Sequence, residues 1–215
     1  MYKKKPFFIV FEGVEGCGKS FQSKKLFKNL KKKKINSILT REPGGTKSAE
    51  LIRNLILKDY FNKNNKEKFD KYTDTLLYLA ARNEHIKNKI KPALTNKKIV
   101  ICDRFTDSTL AYQFYGKKVN IKLINDVHKH ILNGIRPNIT FILKVSAKTS
   151  KLRLKKRRTK NRYDNFSQSF YSKAQKYFIK IAKHKKNYFI LNSSDNNNAL
   201  EKKIFKIVSK YLKIK

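Results

Sequence analysis

The sequence predicts an α/β fold: one five-stranded parallel sheet with helices on both faces. Three observations carry that reading. Five short apolar runs alternate with longer amphipathic stretches along the 215 residues. Hydrophobic residues make up 40% of the chain, enough to fill one sizeable core. No internal repeat and no Pro- or Gly-rich linker divides the sequence, so residues 1–215 read as a single domain.

The first strand runs from Phe7 to Phe11 and is ended by Glu12, and a Gly-rich turn leads from it into a helix from Ser20 to Lys33. A second strand, Ser37 to Thr40, passes through a Pro-Gly-Gly corner into a helix from Ala49 to Leu57. The Asn- and Lys-rich stretch Asp59 to Asp70 reads as an exposed connector. A long amphipathic helix, Asp70 to Lys91, precedes the third strand, Ile99 to Cys102. After a helix from Ile121 to Asn133 comes the fourth strand, Ile139 to Val145. KKRRTKNRYD, Lys155 to Asp164, is too charged for a core element. The chain closes with a helix from Ser167 to His184, the strand Tyr188 to Leu191 and a helix from Ala199 to Leu212.

The charge is unusual: 53 basic against 15 acidic residues give +38. Such an excess would point to nucleic acid if it were gathered in one patch. Lysine is instead scattered through every segment beside Asn and Ile, the residues that an AT-rich coding sequence favours. Nucleic-acid binding is therefore not expected as the function. No apolar run approaches the roughly 18 residues of a membrane span, so no membrane association and no secretory signal are expected. Two cysteines with no metal-site spacing fit a reducing, cytoplasmic setting.

Gly13, Val14, Glu15, Gly16, Cys17, Gly18, Lys19 and Ser20 read GVEGCGKS, a match to G-x-x-x-x-G-K-[ST] between a strand and a helix. The glycines let successive backbone N–H groups turn toward phosphate oxygens, and the helix start adds its positive end. Lys19 is then within reach of the β- and γ-phosphates, and the Ser20 hydroxyl ligates Mg²⁺. The motif holds a nucleoside triphosphate; it does not name the acceptor.

Four further segments sit where a second nucleotide would be gripped. TREPGGT, Thr40 to Thr46, offers Arg41 and Glu42, and Arg53 follows on the next helix. In YLAAR, Tyr78 and Arg82 stand four apart on one helix face, a ring and a guanidinium suited to a base. Asp103 and Arg104 follow the third strand, where open α/β sheets bind ligands, and Ser108, Tyr112 and Gln113 come soon after. A segment at about 148–165 carries Arg153, Arg157, Arg158 and Arg162 and reads as a basic lid. Each also has a plain reading by itself: a loop, a helix surface, a strand-end ion pair, a solvated charge run.

In their joint order these motifs resemble the thymidylate kinase family, in its bacterial form. FEGVEGCGKS, TREPGGT, YLAAR, the Lys91-Pro92-Ala93-Leu94 helix end, DRFTDSTLAYQ and the Arg136-Pro137 turn span nearly the whole chain. The resemblance implies the P-loop kinase fold, phosphoryl transfer from ATP to dTMP with Mg²⁺, and a homodimer. It also implies roles. Glu15 becomes the loop carboxylate near the sugar 3′-hydroxyl, Arg41, Arg53 and Arg104 the acceptor-phosphate ligands, and Asp103 and Glu42 their supporting or magnesium-linked neighbours. Tyr78 would stack on thymine, Arg82 and Gln113 would read its edge, and Tyr112 would leave little room for a ribose 2′-hydroxyl. Some members carry a catalytic arginine at the place of Gly16. Here that charge is expected from the lid, with Arg153 and Arg157 as candidates beside Lys19, Glu15 and Arg104. Phe105, Lys144 and Asn161 depart from the commoner pattern. A kinase for another nucleoside monophosphate, or a nucleic-acid-binding P-loop ATPase, remains as the alternative.

Overall fold

The computed structural model describes residues 5–58, 68–156, 167–194 and 197–214. Its sheet has five parallel strands in the order β2-β3-β1-β4-β5, with β1 at Phe7–Glu12, β2 at Ser37–Arg41, β3 at Ile99–Asp103, β4 at Ile139–Lys144 and β5 at Tyr188–Asn192. Each apolar run read from the sequence is a strand. Their near-continuous hydrophobicity is what a sheet covered on both faces demands. Ile9, Phe11, Ile99 and Ile101 belong to one buried cluster with Leu26 and Leu30 of α1 (Lys19–Lys32) and Ile204 and Val208 of α9 (Asn197–Leu212). The alternate residues Phe8, Val10, Val100 and Cys102 pack with Ile86, Ile90 and Phe105 in a second cluster.

Helix starts follow local chemistry. Thr46 accepts from the Ala49 amide to open α2 (Lys47–Leu57), and Asp70 accepts from Tyr72 to open α3 (Lys71–His85). The expected helix over 70–91 is not regular. After His85 it widens into a π-helical turn, Ile86–Ile90, before α4 (Lys91–Thr95). Pro92 is the reason: it lacks an N–H and its ring would strike the carbonyl four residues back, and the widened turn puts it at the start of α4.

Three further elements are not legible in the sequence. Residues after β3 form a short α5 (Thr106–Thr109) and a second π-helical turn, Leu110–Gly116. They are followed by the expected α6 (Ile121–Leu132). The first part of the lid segment is α7 (Ala147–Lys155), capped by Ser146. Residues 157–166, with Arg157, Arg158 and Arg162, lie outside the described residues, as do 59–67 of the expected connector. The chain then enters α8 (Gln168–Ala182).

The parallel register sets the ends of β1, β2 and β3 level: Phe11 faces Asp103, and Asp103 faces Arg41. The phosphate loop, Asp103-Arg104 and Arg41-Glu42 therefore leave the sheet side by side at its carboxyl edge.

Candidate active site

The loop after β1 is shaped by glycines in left-handed conformations, with φ of 71° at Gly16 and 90° at Gly18. Gly18 caps α1 without a side chain, which leaves the first amides of the helix turned outward as anion donors. The Lys19 ammonium lies along the loop, donating to the carbonyls of Gly13 at 3.0 Å and Val14 at 2.8 Å. The Ser20 hydroxyl donates to the Asp103 carboxylate. A hydroxyl and one carboxylate are hard oxygen donors that fit Mg²⁺, an ion that keeps water and phosphate oxygens as its other ligands. Among the described residues no three His, Cys, Asp or Glu side chains cluster, so a wholly protein-built cage is not offered there.

Arg104 occupies the left-handed region at φ 74°, a conformation that costs a non-glycine residue about 1–3 kcal/mol and persists only when neighbours over-determine it. Those neighbours are explicit. Its guanidinium donates to the Gly13 carbonyl at 3.0 Å, to Ser108 Oγ at 2.9 Å and to Glu15 at 2.7 Å. The other Glu15 oxygen accepts from the Tyr112 hydroxyl at 2.6 Å. Glu15, Arg104 and Tyr112, far apart in sequence, thus form one charged arch over the loop, with the guanidinium 5.2 Å from the centre of the Tyr112 ring.

Beneath it lies a buried network around Arg82, which is 2% exposed. Its Nε donates to Glu42 at 2.8 Å, Nη1 to Thr109 and to His128 Nε2 at 2.7 Å, and Nη2 to the Phe105 carbonyl at 2.9 Å. Arginine only donates, so His128 Nε2 carries no proton; burial, then the Arg82 charge, lower the ring to about 3. Burial would raise Glu42, but Arg82 and His85 outweigh it and hold the carboxyl below its ordinary value. Four of the five Arg82 donors are thus taken inside the protein. Gln113 is different. It is 2% exposed and its amide nitrogen has no partner among the described residues. A buried unpaired donor costs about 1–3 kcal/mol, which a ligand acceptor would recover.

Arg41 and Arg53 flank the Pro43-Gly44-Gly45 corner, held by Glu50. Glu50 pairs with Arg41 at 3.0 Å and accepts from the Gly45 amide at 2.8 Å, while Arg53 donates to the Pro43 carbonyl at 2.7 Å. Burial, and then the nearby Arg41 guanidinium, lower Arg53. Gly45 has no alternative residue: an added Cβ would sit 2.7 Å from the His85 ring.

From α7, Ser150 donates to the Glu15 carbonyl at 2.8 Å, and Arg153 donates to the carbonyls of Gly16 at 3.2 Å and Ser193 at 2.7 Å. Arg153 therefore already touches the phosphate loop. Its neighbour Gly16 has no room for a side chain, since a Cβ would lie 2.8 Å from the Ser150 carbonyl oxygen.

One cavity of about 540 Å³ joins these groups. Lys19, Ser20, Arg41, Arg53, Tyr78 and Gln113 all line it. Glu15, Gly16, Gly18, Glu42, Arg82, Asp103, Arg104, Ser108, Tyr112 and Arg153 also line it, so all the described site residues apart from three loop positions meet there; Gly13, Val14 and Cys17 are buried beneath the loop. Sequence reasoning missed Glu12, Glu50, His85 and His128, which hold the lining rather than form it. It also missed Phe21, Pro43 and Leu57, the apolar part of the lining. Glu50 had a signal on its own helix, three residues before Arg53 on one face.

The thymidylate kinase family model matches residues 11–204. The chain is 45% identical over 177 residues to a thymidylate kinase of Wolbachia pipientis wMel, covering 81% of this chain and 84% of that one. It is 40% identical over 202 residues to one of Prochlorococcus marinus (strain AS9601), covering 92% of each. The crystal structure of thymidylate kinase from Ehrlichia chaffeensis superposes with a TM-score of 0.74 at 32% identity, covering 95% of this chain and 99% of that one.

Proposed function

The chain belongs to the thymidylate kinase family, and on that premise we propose how its own side chains move a phosphoryl group from ATP to dTMP, giving ADP and dTDP. The supporting observation is that the phosphate loop and every described acceptor candidate line one cavity. No finding favours a different acceptor or a nucleic-acid-driven ATPase.

ATP lies along the loop, its phosphates on the amides at the start of α1 and on Lys19. Ser20 and Asp103 would hold Mg²⁺, which would neutralise phosphate oxygens of the nucleotide. The dTMP phosphate meets Arg41, Arg53 and Arg104, while Tyr78 faces the thymine ring and Gln113 and the one spare Arg82 donor face its edge. The nucleophile is an oxygen of that phosphate, whose second pKa of about 6 leaves it mostly dianionic at neutral pH. No strong general base is needed. The work left to the protein is alignment of two anionic groups and neutralisation of the charge between them. Glu15 keeps Arg104 and Tyr112 in place, and Arg153 supplies positive charge from α7. Residues 1–215 act as one domain with the segment at about 148–165 as its lid.

Gln113→Ala tests the base-reading assignment. The Michaelis constant for dTMP should rise about tenfold or more, with that for ATP unchanged, since a hydrogen bond and the relief of a buried donor are both lost. Equal effects on both nucleotides would make Gln113 structural.

The reading includes a cytoplasmic homodimer. Among the described residues no helix is long and apolar enough to cross a membrane. Helices α2 and α3 pack on each other and leave Leu51 69% and Leu76 47% exposed, with Leu55 and Tyr72 beside them in sequence turns. That is more large apolar surface than a monomer gains from showing. Sedimentation should give twice the mass of one chain, and Leu51→Glu should shift it toward one; a wild-type monomer would contradict the assignment.

A further inference from the structure

Glu12 is the last residue of β1 and is fully buried, yet it takes no part in the mechanism above. A carboxyl in that position needs partners, and its hydrogen-bond partners among the described residues, Phe105 and Ser108, lie on the turn that carries Arg104. Oε1 accepts from the Phe105 amide at 2.8 Å and the Ser108 amide at 3.2 Å; Oε2 accepts from the Ser108 hydroxyl at 2.6 Å. Ser108 Oγ in turn accepts from Arg104 Nη1 at 2.9 Å. We infer that Glu12 is a positioning residue for the acceptor phosphate: through Ser108 and the 105–108 amides it sets the Arg104 guanidinium where that phosphate binds.

The direction of the relay follows from donor counting. Arg104 only donates, so the Ser108 hydroxyl must place its single hydrogen elsewhere, and Glu12 Oε2 is where it goes. The backbone is held from the same carboxyl. Arg104 sits at φ 74°, its own amide bonded to the Phe11 carbonyl at 2.9 Å, and the next amide, that of Phe105, is bonded to Glu12. One acid at the end of β1 therefore fixes both the unfavourable backbone of Arg104 and the hydroxyl that orients its side chain.

Glu12→Gln keeps the shape and removes the relay. With the amide group one way round, an NH₂ opposes two backbone donors. With it the other way, Ser108 Oγ receives a second donor and its hydroxyl is turned aside. The inference rests on Arg104 binding the acceptor phosphate, so Arg104→Ala is measured alongside. Steady-state constants for dTMP and ATP are compared in Glu12→Gln, Ser108→Ala, the double variant and Arg104→Ala, with a thermal melt of each. The expected result is a rise in the dTMP constant of about ten- to a hundredfold in each single variant, with the ATP constant within about twofold, because a hydrogen bond that orients Arg104 is lost on the acceptor side only. The double variant should be no worse than the worse single, as expected of two residues acting through one path. Should Glu12→Gln not fold, Glu12→Asp, which keeps the carboxyl and shortens the reach by one methylene, carries the same expectation. Multiplying effects in the double variant, or equal losses for both nucleotides, would overturn the positioning role. An unchanged dTMP constant in Arg104→Ala would overturn the Arg104 assignment and this inference with it. A large change in Arg104→Ala beside none in Glu12→Gln would remove the inference alone.

Discussion

Lys19→Ala is expected to lose phosphoryl transfer by on the order of 10³-fold or more while melting close to wild type, since it removes a charged donor aimed at the transferring group. The reasoning separates the loop's two tasks. Its shape comes from glycine dihedrals and from backbone packing against β1 and α1, none of which needs the ammonium. Its mobile charge is Lys19 alone, which lies against the Gly13 and Val14 carbonyls and is within reach of the phosphates that replace them. The loss should fall on turnover, because an ammonium that follows the phosphate counts most when charge develops there. A stopped assay of ADP and dTDP formation, with circular dichroism to follow the fold, is the check. Near-normal turnover in a folded variant would leave the loop with no catalytic part.

Arg153→Ala is the second large effect, with kcat expected to fall about 10³-fold and the dTMP constant nearly unchanged, in line with the scale known for a supplied arginine. Gly16 explains why the charge must come from α7. At φ 71°, with the Ser150 carbonyl 2.8 Å from where a Cβ would be, that position accepts no side chain unless α7 moves away. Gly16→Arg should therefore fail to rescue Arg153→Ala. Arg153→Lys should rescue only in part, since an ammonium cannot span the Gly16 and Ser193 carbonyls as the planar fork does. Wild-type turnover in Arg153→Ala would return the segment to a solvated basic run.

What was legible in the sequence and what was not divides on physical lines. The central strands were, because a strand buried on both faces is written as an uninterrupted apolar run such as FFIVF or IVIC; the edge strands β2 and β5, partly exposed, were short runs of the same kind. The phosphate loop was, because its glycines and Lys19 have fixed spacing imposed by a local turn. Helix α7 was not: AKTSKLRLK has no apolar stripe, and its place is set by contacts to Gly16 and Ser193 that lie far along the chain. The π-helical turns were missed because hydrophobic periodicity reports which face is buried and not how many residues close each turn. In the sequence Glu12 reads only as the end of a strand. A charge directly between an apolar run and a phosphate loop is a signal of a buried acid with a task, but its partners at 105 and 108 become visible only when β3 lies beside β1. The Arg82 reading needed the opposite adjustment: helix spacing put it beside Tyr78, while four of its donors proved to be spent on Glu42, Thr109, His128 and Phe105.

The central claim is that this cavity passes a phosphoryl group from ATP to dTMP, and it is tested most directly by an acceptor panel. With ATP and Mg²⁺ in excess, ADP formation is followed with dTMP, dUMP, AMP, CMP, GMP and UMP in turn, and with single- and double-stranded DNA in place of any nucleotide. The account predicts rapid turnover with dTMP, giving dTDP, and no stimulation by DNA in spite of the +38 charge. Turnover driven by DNA, or by a ribonucleotide in preference to dTMP, would contradict it.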